Sequence, residues 1–161
     1  MALAKRINKI NIMRKITMLF ILLTISTVVK SQQIPTKDQQ KVQETVVDFF
    51  EALSVRDSIS LKNHCTIDIT LYEYGQIWNL DTLISKAITQ NTATDFKRTN
   101  TFDFIYTKAD KTNAWLTYRL SSIIKKDGKE VIKQWLETVI LAKQKKQWKV
   151  KHLHSTLITK S

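Results

Sequence analysis

The sequence predicts an α+β domain: N-terminal helices packed on one face of a curved antiparallel sheet. Three features point there. Apolar residues up to about residue 90 recur mostly at helical spacing. From about residue 96 onward they alternate with polar ones at a period of two. Compact turn signals, above all Asp127-Gly128, divide that second half into hairpins. Helices first and a long strand meander last is an α+β order.

The 161 residues suffice for one domain of ordinary size. An apolar content of 43% can build a core, and two Gly with one Pro exclude collagen-like or linker-rich chains. The net charge of +12 is unevenly placed. Residues 1–31 hold Lys5, Arg6, Lys9, Arg14, Lys15 and Lys30 and no acid; the rest has 20 basic against 14 acidic residues. That remaining excess is mostly Lys, clustered at Lys125/Lys126/Lys129 and Lys143/Lys145/Lys146, where hairpin turns are expected. Solvated turn lysines explain it, and no nucleic-acid partner is expected.

The first 31 residues read as a signal peptide, and residues 32–161 as the single mature domain. Basic residues through Lys15 precede the apolar run Ile16–Val29, which fits an h-region but is too short to span a bilayer. Val29 and Ser31 give small residues for cleavage after Ser31, and Met13 is an alternative start. The expectation is export to the periplasm or the medium, with no stable membrane anchor after cleavage. The single cysteine, Cys65, forbids an internal disulfide and reads as a small buried residue.

The elements follow in order. Thr36-Lys-Asp-Gln39 is a capping box, and Val42, Val46, Phe49, Phe50 and Leu53 continue a helix over 37–54. Asp57 or Ser58 caps a short second helix carrying Ile59, Leu61 and Cys65. Ile67, Ile69 and Leu71 alternate with polar residues as a strand, turned at Tyr74-Gly75-Gln76 and returning through Ile77-Trp78. Asn79 caps a third helix with the stripe Leu80, Leu83, Ile84, Ala87, Ile88. Strands then run through Phe102–Tyr106, Ala114–Ile124, Val131–Ala142 and Gln147–Ile158.

With these elements in place, the chain resembles the nuclear transport factor 2-like superfamily, which includes ketosteroid isomerase, scytalone dehydratase and SnoaL-type polyketide cyclases. The resemblance covers about residues 37–158. Its most specific run, Trp148-Lys-Val-Lys-His152-Leu-His154-Ser-Thr156, is similar to the Trp-x-Ile-x-His-x-His-x-Ser ending of one SnoaL-like branch, with Thr156 where that pattern has Ser. That branch also contains the association domain of a calmodulin-dependent kinase. Tyr72–Trp78 resembles the family's first hairpin. The resemblance implies a cone-shaped roll with a pocket at its open end and a sheet that pairs into a homodimer, Trp115 and Trp135 offering apolar area. It says little about function, because the fold hosts many chemistries.

Polar residues on apolar strand faces mark the candidate site, because burying them unpaired costs about 2–7 kcal/mol. Glu137 shares a strand face with Trp135, Val139 and Leu141; inside the cone it is a buried carboxylate able to act as a base. His152 and His154 lie on one strand face with Trp148 and Val150, and His154 is the matching acid/base. Strand pairing across the Lys143–Lys146 turn sets Glu137 near residue 153, so the two side chains meet if the register allows. Tyr72, Trp78, Tyr118 and Trp135 are the candidate ligand-binding aromatics. Asp48 on the first helix reads as solvated. A His-x-His pair with His64 or Glu137 lacks the spacing of a metal site, so neither metal nor cofactor is expected. The first helix has no Tyr, unlike a ketosteroid isomerase site. Two functions remain: an exported domain binding a small apolar or aromatic molecule, with no assigned catalysis, or a lyase or isomerase using Glu137 and His154 as acid and base.

Overall fold

The computed structural model describes residues 34–158. The segment read as a signal peptide lies outside these residues. Helix α1 spans Lys37–Ser54, α2 Ser58–His64, and a short α3, Leu80–Ile84, runs into a π-helical turn at Ser85–Thr89. The strands are β1 Cys65–Glu73, β2 Gln76–Trp78, β3 Lys97–Ala109, β4 Asn113–Lys126, β5 Lys129–Gln144 and β6 Gln147–Leu157.

Local chemistry sets most boundaries. Thr36 Oγ1 accepts from Gln39 N while Thr36 N donates to Gln39 Oε1, closing the capping box of α1. Asp57 caps α2 by accepting from Ile59 N and Ser60 N, and Asn79 caps α3 by accepting from Thr82 N. The three tightest turns use residues in the left-handed region: Tyr74-Gly75, Asp127-Gly128 and Lys145-Lys146. Two such residues match the twist of a two-residue hairpin. Asp95 reinforces the second turn, accepting from the N–H groups of Asp127 and Gly128 at 2.8 Å each.

The six strands form one sheet in the order β2-β1-β6-β5-β4-β3. It is mixed rather than purely antiparallel: β1 and β6 run parallel, and every other pair is antiparallel. The inner face packs against α1 through Val42, Val46, Phe49, Phe50 and Leu53, all buried. Each such side chain contributes about 1.5–3 kcal/mol when fully removed from water. Leu116, Tyr118, Leu120, Val139, Leu141, Val150 and Leu153 supply the sheet side of this core.

Two irregularities redirect side chains. Between Cys65 and Thr70 the β1–β6 register shifts, and Ile67, expected on the core face, is 93% exposed. On β6, Val150 pairs with Leu141 but His152 pairs with Ile140, so Lys151 is an extra residue. Such a bulge bends and twists the strand, as a sheet curling over a helix requires. It also switches the faces: Trp148 and Val150 point inward before it, Leu153 and Ser155 after it.

Candidate functional site

The bulge decides what Glu137 meets. The turn pairs Gln144 with Gln147, and an unbroken ladder from there would bring Glu137 opposite His154. The extra residue moves the register by one, so Glu137 pairs with Ser155 and His154 with Thr138. Glu137 points inward and is 2% exposed. His152 and His154 point outward, correcting the expectation that they share a face with Trp148 and Val150. Both stack edge-on against Tyr72, at 4.7 and 5.8 Å between ring centres, and His152 Nδ1 lies 2.8 Å from Thr70 Oγ1. Tyr72 therefore belongs to the outer face as well.

Inside, a polar cluster forms around Glu137. Ser155 Oγ donates to Glu137 Oε1 at 2.9 Å. Tyr118, fully buried on β4, sits beside the carboxylate, and Phe50, Phe102 and Phe104 pack edge-on around its ring. Neither Tyr118 Oη nor Glu137 Oε2 meets a partner in hydrogen-bonding geometry among the described residues. Arg98 enters from β3. Its Nε donates to Asn100 Oδ1 at 2.9 Å and to Ser122 Oγ at 3.2 Å, and its Nη2 donates to Ser122 Oγ at 3.1 Å. Asn100 Nδ2 donates in turn to Ser54 Oγ on α1. The guanidinium stands over Phe50 at 5.4 Å and over Trp135 at 5.7 Å.

Electrostatics add a residue that sequence reading missed, Glu73 at the end of β1. Burial, then the negative charge of Glu137, push its carboxyl up to about 7, while Ser155 and Arg98 pull the other way. Burial also raises Glu137, against the hydroxyls of Tyr118 and Ser155 and the charge of Arg98. Burial works against the Arg98 charge, and the two carboxylates support it. The cluster is thus two carboxyl groups linked through one serine, with one guanidinium and one phenol. It can hold or pass a proton near neutral pH.

A cavity of about 280 Å³ opens onto it, lined among others by Glu73, Tyr74, Trp135, His154, Ser155 and Leu157. His154 borders this pocket although its side chain leaves β6 on the outer face. Of the four expected ligand-binding aromatics, Trp135 lines it. Tyr118 lies beneath in the core. Trp78 instead packs beside Tyr74 at 6.5 Å, with the Lys86 ammonium over its ring. A larger cleft of about 620 Å³ lies between α1 and the β5–β6 turn, with Lys41, Glu44, Asp48 and Lys146 on its walls. Those side chains are solvated, Asp48 among them as expected, and no buried carboxyl faces that cleft. Among the described residues no group of three or more His, Cys, Asp or Glu is placed to hold a metal ion.

No protein-family model matches the chain, and no curated protein is significantly similar to it in sequence. Solved structures do match. An NTF2-like protein from Cytophaga hutchinsonii superposes with a TM-score of 0.65 at 12% identity, over 76% of this chain and 100% of that one. A ketosteroid isomerase-like protein from Erwinia carotovora atroseptica gives 0.63 at 11%, over 78% and 100%. A CaMKII hub from S. rosetta gives 0.62 at 19%, over 78% and 100%. The fold is therefore that of the nuclear transport factor 2-like superfamily, helices on a curved mixed sheet, as the sequence resemblance implied.

Proposed function

We propose that this chain is an exported domain that binds a small molecule in the pocket beside Glu73, Trp135 and Ser155. One observation carries the reading: Glu73 and Ser155 lie on the pocket wall, and Ser155 holds the buried Glu137 carboxyl behind it. Burying a carboxyl is costly, a cost that a core position does not need and a binding site uses to fix a ligand. The pocket walls combine the rings of Tyr74 and Trp135 and the side chain of Leu157 with the polar groups of Glu73, His154, Ser155 and Thr156, which can orient a small ligand. A thermal-shift screen of small aromatic compounds on wild-type protein and Glu137→Gln tests this. Compounds that raise Tm in the wild type and not in the variant support it; a screen blank on both proteins removes it.

A second reading is proton transfer of the lyase or isomerase kind, with Glu137 as the base. Its support is the raised Glu137 and Glu73 carboxyls linked by Ser155. His154 serves that reading only from the rim of the pocket, because its side chain and that of Glu137 leave the sheet on opposite faces.

The outer sheet face supports pairing with a second copy. Trp115, 43% exposed, Tyr106, Leu136 and Ile140 lie open on it. Trp135, expected to join them, faces inward. Light scattering on the purified protein and a Trp115→Lys variant checks this, a monomer in the wild type ruling it out. Export through residues 1–31 is checked by the intact mass of protein recovered from the envelope or medium: loss of those residues supports it, and retention of Met13 through Ser31 opposes it.

A further inference from the structure

The inner cluster is unbalanced in charge. Glu73 and Glu137 both face it, and among the described residues Arg98 is the one basic side chain whose charge acts on either of them. With both carboxyls ionised, one negative charge is left over. Something positive must complete the set, either a proton or a ligand.

An anionic ligand fits poorly. Arg98 Nε and Nη2 are directed at Asn100 and Ser122, and the guanidinium faces lie against Phe50 and Trp135. The pocket itself presents Glu73, not Arg98, on its wall. Beside Glu73 stands Tyr74, exposed at the β1–β2 turn, and no ammonium or guanidinium covers its ring among the described residues. A carboxylate next to an open aromatic face is the arrangement that attracts an organic cation. The volume of about 280 Å³ is just short of the range of drug-sized sites and suits a small ligand.

We propose that the pocket takes a small organic ammonium ion, held between the Glu73 carboxylate and the ring of Tyr74. This deepens the binding reading above and rests on it. The ammonium replaces the proton that otherwise completes the cluster, so binding releases a proton when Glu73 starts protonated. The groups facing Glu73 are Glu137 on β5, Arg98 on β3, Tyr118 on β4, Tyr74 at the turn and His154 on β6. Of these, His154 also borders the pocket, so it needs a separate control.

Benzyltrimethylammonium, whose charge is independent of pH, is the probe, with benzyl alcohol and benzoate as the neutral and anionic comparisons. Calorimetric titration at pH 6 and pH 8 reads the affinities. The ammonium should bind more tightly than either comparison. Its affinity should be about five- to tenfold higher at pH 8 than at pH 6, because Glu73 must ionise first. Glu73→Gln should erase that difference and weaken binding about tenfold, with an unchanged circular dichroism spectrum. His154→Gln should leave the difference in place. Preference for benzoate, a pH dependence that survives in Glu73→Gln or vanishes in His154→Gln, or no binding of the ammonium overturns the proposal. In that event, benzyl alcohol or benzoate binding, or a hit in the broader thermal-shift screen, leaves the small-molecule reading standing. If Glu73→Gln does not fold, Tyr74→Ala serves instead: a weakening of less than twofold for the ammonium sinks the proposal.

Discussion

The two faces of β6 use the same kinds of residue to opposite ends. Outward, His152 and His154 stack on Tyr72 in partial contact with water, and among the described residues no carboxylate pairs with them. Inward, Ser155 holds a carboxyl that is 2% exposed, with Tyr118 and Arg98 around it. The histidines are the more conspicuous chemistry in the sequence, yet the environment that shifts proton affinities towards neutral pH lies on the serine's face. A titratable residue matters less by its type than by how far water is excluded around it.

The largest effect is expected from removing the bulge. Deleting Lys151 takes out the extra residue, so Glu137 still pairs with Ser155 and the inner set keeps its face, but β6 loses the bend that curls the sheet over α1. That loss should cost about 2–4 kcal/mol. A urea denaturation midpoint unchanged by the deletion would show that the curl of the sheet does not depend on the bulge.

Acidity separates the faces next. For Glu73 and Glu137 the folded carboxyl binds its proton more tightly than the unfolded one. Their contribution to stability is therefore present at low pH and declines as pH rises above the ordinary carboxyl value of 4.5, for Glu73 up to about 7. Allowing for solvent screening at Glu73, the loss between pH 5 and pH 8 should be about 1–3 kcal/mol. The outer face pulls the other way. Burial and His154 lower the proton affinity of His152, so its share of stability grows as pH rises towards 6.5. The double variant Glu73→Gln, Glu137→Gln should therefore flatten the decline, and denaturation across pH values reads it. A slope equal to that of the wild type would place the acid behaviour elsewhere.

Smaller effects sharpen the same contrast. Ser155→Ala removes the donor to Glu137 Oε1 and should cost about 1–2 kcal/mol at pH 8. Because that hydroxyl lowers both carboxyls, its loss should also move the pH-dependent decline upward. On the outer face, His154→Gln should change stability by less than ~0.5 kcal/mol. A larger loss for His154 than for Ser155 would invert the assignment of roles.

Much of this fold is written locally. The capping box at Thr36 and Gln39, the Asn79 cap and the Asp127-Gly128 turn each act through neighbouring backbone, so their residues announce them. The inward placement of Glu137 also follows from its strand neighbours, because Trp135, Val139 and Leu141 cannot all face water. The bulge is different. Trp148, Val150, His152 and His154 alternate without a break, and nothing local marks Lys151 as the extra residue; curvature of the whole sheet demands it. Glu73 was missed for a similar reason: a Glu just before a turn reads as solvated until β6 arrives beside it. Arg98 could have been found, since it shares a strand face with Asn100, Phe102 and Phe104 and is the one charge among them.

The strand order carries a consequence for how the molecule comes into being. β6 is the last strand to be synthesised, yet it lies between β1 and β5, joining one end of the sheet to the other. Until it arrives, β1 with β2 and the β3–β5 meander are separate ribbons, each with a bare hydrogen-bonding edge. Such distant pairing is slow, because the loop between the partners must close before any contact rewards it. A chain cut short before Gln147 would therefore keep most of its residues and lose the means of joining its two halves, and the exposed edges would invite aggregation.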